Sequence, residues 1–167
     1  MKVLVPLDGS SAALAAVDHL EALARRGVAL EVVLLHVQVR FHRHVSQFTS
    51  RAARDALRAE RSAAALAPAM NRLSKDDIAF VAMTACGADV AERIAAVAER
   101  EQVDEIVMGV GRHPQWLRWL NPSIAQRVMQ LTDIPVTVLT RGRVSRLQRY
   151  AVPAGVAGIA ALLIASE

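Results

Sequence analysis

Residues 2–27, KVLVPLDGSSAALAAVDHLEALARRG, decide the architecture. Val3, Leu4 and Val5 are contiguous and apolar, so Lys2 to Leu7 reads as a short strand buried on both faces rather than one facing water on alternate residues. Asp8-Gly9-Ser10 is a turn, and Ser10 stands where a helix takes its N-cap. Leu14, Val17, Leu20 and Leu23, with Ala16 and Ala24 beside them, recur at helical spacing up to Arg26, and Gly27 stops the helix as a C-terminal glycine does. A buried strand that passes through a tight turn into an amphipathic helix is the opening of a β-α-β unit.

The rest of the chain repeats that pattern. Val28 to Val39, ending EVVLLHVQV, is too β-branched for a helix and reads as a second strand. A segment from about Ser46 to Leu73, rich in Ala and Arg and with its first proline at Pro68, reads as a long, mostly exposed helix. Ile78 to Thr84 is a third strand, punctuated by Gly87, and Val90 to Arg100 is a helix with Val90, Ile94 and Val97 on one face. Glu105 to Met108 is a fourth strand ending at Gly109, followed by a polar loop bearing Trp116 and Trp119. Pro122 to Leu131 is a short helix with proline at its first position, and Ile134 to Thr140 a fifth strand. The order βαβαβαβαβ implies an α/β fold: an open, doubly wound, parallel five-stranded sheet with helices on both faces and flavodoxin-like layering. In such sheets ligands bind beyond the carboxyl ends of the strands, where the strand order reverses, which singles out the turns after the first and fourth strands.

Composition narrows the function classes. A chain of 167 residues, 53% apolar and only 4% aromatic, fits one domain with an aliphatic core. The formal charge of +4 is carried almost wholly by Arg, interspersed with Asp and Glu, which speaks against a nucleic-acid stripe. The single cysteine, Cys86, allows no intrachain disulfide and no cysteine-held zinc, and reads as a small buried filler in a reducing cytoplasm. MKVLVPLDGSS enters a strand at once and shows no export signal. His42 and His44 lack further ligands at metal spacing, and His36 within LLHV reads as a packed strand residue. No Ser-His-Asp or Cys-His arrangement suggests catalysis, and no Gly-Lys-Ser/Thr marks a P-loop, so the expectation is a binding protein rather than an enzyme.

Four stretches together resemble the universal stress protein family. LVPLDGSSAALAAVDHL (4–20) resembles its first strand, acidic turn and helix, and VVLLHVQV (32–39) its second strand. DEIVMGVGR (104–112) resembles the strand entering its phosphate loop, and NPSIAQRVMQLTDIPVTVLT (121–140) the helix and strand that close the domain. The resemblance covers roughly residues 1–140 and implies an adenine nucleotide, ATP with or without Mg2+, as ligand. It places the adenosine against Asp8, with neighbouring Pro6 and Leu7, and the base against backbone at Val37. It places the phosphates along Met108, Gly109, Gly111, Arg112, Ser123 and Ile124. Asp8 has a second reading, in which its carboxylate organises its own turn with Gly9 and Ser10. The family's loop runs Gly-x-x-Gly, nine residues, then Gly-Ser or Gly-Thr. Here Arg112 falls on the second glycine and Pro122, which has no N–H, on the third. A loop that keeps its shape but has lost the nucleotide is the alternative.

The resemblance also implies a homodimer through the fifth strand, with Val136, Val138 and Leu139 suited to the contact. Trp116, Leu117, Trp119 and Leu120 form an apolar patch read as folding back over the end of the sheet. The domain is expected over 1–141. Residues 142–167 extend it, with Arg143, Arg146 and Arg149 before an uncharged run from Tyr150 to Ser166. That run reads first as an apolar helix packed on the domain or a partner, and second as a membrane contact at 150–166 on the cytoplasmic face of an inner membrane.

Overall fold

The computed structural model describes residues 1–39, 51–111, 124–140 and 143–144. In chain order they form β1 (Lys2–Pro6), α1 (Leu14–Arg25), β2 (Glu31–Val39), α2 (Arg51–Lys75), β3 (Ala79–Gly87), α3 (Val90–Arg100), β4 (Glu105–Val110), α4 (Ile124–Leu131), β5 (Val136–Thr140) and β6 (Arg143–Val144). The strands make one sheet in the order β3-β2-β1-β4-β5-β6. The first five are parallel, as the β-α alternation requires, and β6 adds two antiparallel residues, Arg143 against Thr140 and Val144 against Leu139. The sequence reading anticipated the five parallel strands and not β6, which is too short to carry a pattern.

Period-two alternation assigns the side chains to two cores. Val3, Val5 and Leu7 of the β1 segment, Val32 and Leu34 of β2, and Val107 of β4 face α1 and α2, where Val17, Leu20, Leu66, Ala69 and Leu73 cover them. Leu4, Val33, Leu35, Ile106 and Met108 face α3 and α4 and meet Ile94, Val97, Ala125 and Val128. Central strands buried on both faces are the reason their sequences run apolar without a break.

The helix ends show local chemistry. Gly27 has φ +84°, and its N–H donates to Ala24 while that of Val28 donates to Leu23, a closure that needs a left-handed residue. Gln102 does the same for α3 at φ 52°, its N–H reaching Glu99 and that of Val103 reaching Ala98. The long helix α2 continues through Pro68 to Lys75 and is mostly exposed, as expected, with Ser62, Ala65, Leu66, Ala69 and Leu73 forming the buried stripe that packs it on the sheet. Arg72 clamps it to α1 by a bidentate contact with buried Glu21 (2.7 and 2.5 Å) and a further bond to Asp18 (2.6 Å). Strand β3 runs on to Gly87, beyond the expected end at Thr84.

Candidate functional site: the crevice where the strand order reverses

The chain winds outward from β1 through β2 to β3, then returns to the other side of β1 as β4 and β5, so the reversal falls between β1 and β4. Leu4 pairs with Ile106, and carrying that register onward sets Leu7 level with Gly109. The two stretches singled out from sequence, Asp8 and the segment opening at Gly109, therefore leave the sheet side by side.

Their approach is close. A Cβ on Gly109 would overlap the carbonyl oxygen of Ala12 and come within 2.9 Å of the Ala13 Cα, so only glycine lets the end of β4 pass under the first turn leading into α1. That turn is satisfied by its own side chains. Asp8 Oδ1 accepts from the Ser10 N–H (2.9 Å), and Ser10 Oγ accepts from the Ala13 N–H (3.2 Å), three residues on as an N-cap does, although the regular helix begins only at Leu14. The turn-organising role of Asp8 is thus present in the structure. It uses one carboxylate oxygen. Asp8 is exposed, and its Oδ2 has no protein partner among the described residues.

Around this turn, Pro6 ends β1 opposite Leu35. Leu7 is buried, with its N–H on the Leu35 carbonyl (2.8 Å) and its own carbonyl accepting from His36 Nδ1 (2.7 Å), so it offers a ligand no side chain. Val37 lies half-buried on the α3/α4 side. The Met108 side chain is buried among the same residues and leaves only backbone for a ligand. Gly111 is exposed, and among the described residues its nearest neighbour is Ala12 Cβ, 3.8 Å from where a side chain would begin. Ile124 opens α4 and is exposed. Arg112 and Ser123 lie outside the described residues, as do Pro122, the Trp116 to Leu120 patch, His42, His44 and the 145–167 extension.

Sequence reasoning missed several polar contacts that shape the site's surroundings. His36 is a tie to the end of β1 rather than a merely packed residue. Gln38, two residues on, donates from Nε2 to the Arg58 carbonyl (2.6 Å) and to Ser62 Oγ (2.7 Å), fixing β2 to α2, and its buried Oε1 has no partner among the described residues. Asp89 caps α3 through the N–H groups of Ala91 (2.9 Å) and Glu92 (3.4 Å) and binds Arg127 of α4, joining the helix before the crevice to the one after it. Desolvation pushes the Asp89 carboxyl up, but Arg127 and the two backbone donors outweigh it and hold it below the ordinary carboxylate value. Cys86 is exposed, not a buried filler, because β3 forms the edge of the sheet. Among the described residues no group of three His, Cys, Asp or Glu could hold a metal ion, and no helix is long and apolar enough to cross a membrane.

A comparison with curated proteins found no match. Solved structures do match. A universal stress protein family member from Burkholderia pseudomallei is 27% identical with a TM-score of 0.63, the match covering 83% of this chain and 94% of that one. A universal stress protein solved in complex with cAMP is 20% identical, TM-score 0.64, covering 87% and 98%. A family protein from Arabidopsis thaliana with AMP bound is 20% identical, TM-score 0.59, covering 84% and 91%. The model of the universal stress protein family matches residues 1–140, all five parallel strands and the crevice between them. This chain belongs to the universal stress protein family.

Proposed function

We propose that the chain binds an adenine nucleotide, ATP in the first instance, in the crevice between the ends of β1 and β4, without turning it over, as a homodimer acting in a stress response. One observation carries the reading. Asp8, exposed and with an oxygen to spare, stands beside the Gly109-to-Gly111 segment at the point of the sheet where a ligand belongs. The carboxylate can accept hydrogen bonds from the ribose hydroxyls, and the glycine backbone can approach a phosphate. Family structures solved with cAMP and with AMP support the ligand class. The start of α4 faces the same end of the sheet and favours an anion there. Mg2+ would enter with the triphosphate rather than through a cluster of protein ligands.

Calorimetric titration of the purified chain with ATP, ADP and AMP is the test. Saturable binding, lost or weakened about tenfold or more in Asp8→Ala, is expected, since that change removes charge-assisted hydrogen bonds to the ligand. Absence of heat with all three nucleotides would leave a nucleotide-free dimer of the same fold as the reading.

A further inference from the structure

Among the described residues β3 ends the sheet, and the outer side of its backbone is unpaired. In a parallel pair a residue's N–H and C=O point to the same neighbour, and alternate residues point to opposite ones. The Glu31 N–H donates to the Met1 carbonyl (3.0 Å) and the Leu35 carbonyl accepts from the Leu7 N–H (2.8 Å), so the odd-numbered residues of β2 turn toward β1. Val32, Leu34, His36 and Gln38 therefore turn toward β3, where each stands level with an even-numbered residue and bonds to the two that flank it. Phe80, Ala82, Thr84 and Cys86 are left presenting N–H and C=O away from the sheet.

Edge strands are ordinarily guarded by lysine, proline, a bulge or short length. The β3 sequence AFVAMTACG has no charge and no proline, and it pairs with β2 without a bulge over all nine residues. Its exposed side chains are small or apolar, and Val81 is 54% exposed. An uncharged, β-prone segment of this kind pairs readily with a copy of itself.

We infer that β3 is a self-pairing edge, against which a second copy of this chain lays its own β3, antiparallel, about a two-fold axis at Met83. The contact lies at the edge of the sheet opposite β5 and is independent of the nucleotide reading. Two-fold symmetry makes the strands antiparallel, and outward-facing residues must stand opposite one another to exchange hydrogen bonds. Centring on Met83 sets Phe80 opposite Cys86 of the second copy and Ala82 opposite Thr84, so every outward N–H meets an outward C=O. Val81 then packs beside Ala85 of the second copy, and no like charges face each other along the strands. Charge at the two ends favours a second copy as the occupant. Arg93 of α3 is exposed and lies against Gly87, its Nε 3.5 Å from where a Cβ would stand. Asp77 is exposed two residues before β3. The register puts Gly87 opposite Ala79 of the second copy, which brings Arg93 of each copy beside Asp77 of the other and fixes the alignment.

Disulfide trapping in the full-length chain tests the contact and its register. In a Cys86→Ser background, Met83→Cys places the two sulfur-bearing residues at a non-hydrogen-bonded pair, with Cα atoms about 4.5 Å apart, within reach of a disulfide. Val81→Cys places them about 13 Å apart, out of reach. Under mild oxidant the Met83→Cys chain should become a covalent dimer at least about tenfold faster than the Val81→Cys chain. Thr84→Pro removes an N–H that points away from β2, so the chain's own sheet keeps its ladder while the pair loses rungs. Ala82→Lys adds a charge at an exposed position and carries the same test should the proline disturb folding. Either change, added to Met83→Cys, should slow trapping about tenfold or more. Equal trapping at positions 81 and 83, or none at either, overturns the inference. So does trapping at Met83→Cys that Ala82→Lys leaves unchanged.

Discussion

At Gly109 the fold has no room for a side chain, and the neighbour it would strike is backbone, which cannot rotate aside. Gly109→Ala therefore forces β4 or the α1 entry turn to move, and overpacking of this kind costs about 2–3 kcal/mol. Gly111, two residues on, is the control. Among the described residues a methyl group there meets only Ala12 Cβ at 3.8 Å, and Gly111→Ala should stay within about 0.5 kcal/mol of the native chain. Urea midpoints of the two variants check the difference. Equal midpoints would mean that the contact beneath Ala12 relaxes freely and that the crevice wall is not fixed by it. Gly109 and Asp8 were legible in the sequence because each ends an apolar run, where a strand must stop and a turn begin. His36 was not. Its bond spans 29 residues, and LLHV reads as one continuous buried segment whatever the imidazole does. Cys86 was misread for a related reason: its neighbours are apolar, but whether a strand is central or at an edge depends on the order of the sheet, which no local pattern encodes.

Elements are held at their ends by contacts that differ in how openly the sequence declares them. Gly27 announces the end of α1. Gln102 and Asp77 take the same left-handed conformation after α3 and α2 with no glycine to mark it, and the tertiary fold imposes it on them. The start of α3 depends on Asp89, whose carboxylate serves the helix N-terminus and Arg127 together. Its depressed pKa fixes the sign of its pH dependence. A carboxyl held lower in the folded chain than in the unfolded one stabilises the fold above the unfolded value, roughly 3.9, and loses that contribution as pH falls through the folded value below it. Asp89→Asn keeps an oxygen for the Ala91 N–H but removes the charge facing Arg127. Denaturation at pH 7 should show the variant less stable than the native chain, with the gap closing as the pH is lowered toward 3. A gap of constant size would show that the loss lies in cap geometry and not in charge. The helix itself was predicted over Val90 to Arg100, where it is found, while Asp89 went unnoticed because its partner lies 38 residues further along.

Among the described residues the sheet has two edges, and they differ. The edge at β3 is nine residues long, whereas the edge at β5 is already engaged over Leu139 and Thr140 by β6 of the same chain. The proposed dimer contact through Val136, Val138 and Leu139 meets this strand: residues 143–144 sit where a second copy's fifth strand would add its last rungs, leaving the Val136 end of β5 open. Val136 and Val138 also pack toward the α3/α4 core and Leu139 toward the α1/α2 core, so a contact along this edge would be made chiefly by backbone. If copies pair here, β6 competes with them, and disabling it should strengthen association. Replacing both Arg143 and Val144 by proline removes two N–H donors and fixes φ against the ladder while leaving residues 1–140 untouched. Sedimentation velocity over a concentration series should then show a dimer forming at lower concentration than in the native chain, by about tenfold if freeing two rungs contributes on the order of 1.4 kcal/mol. An unchanged dissociation constant would place the dimer contact elsewhere. A weaker association would make β6 part of the interface rather than its competitor, with the strand pair β5–β6 presented as a unit to the second copy.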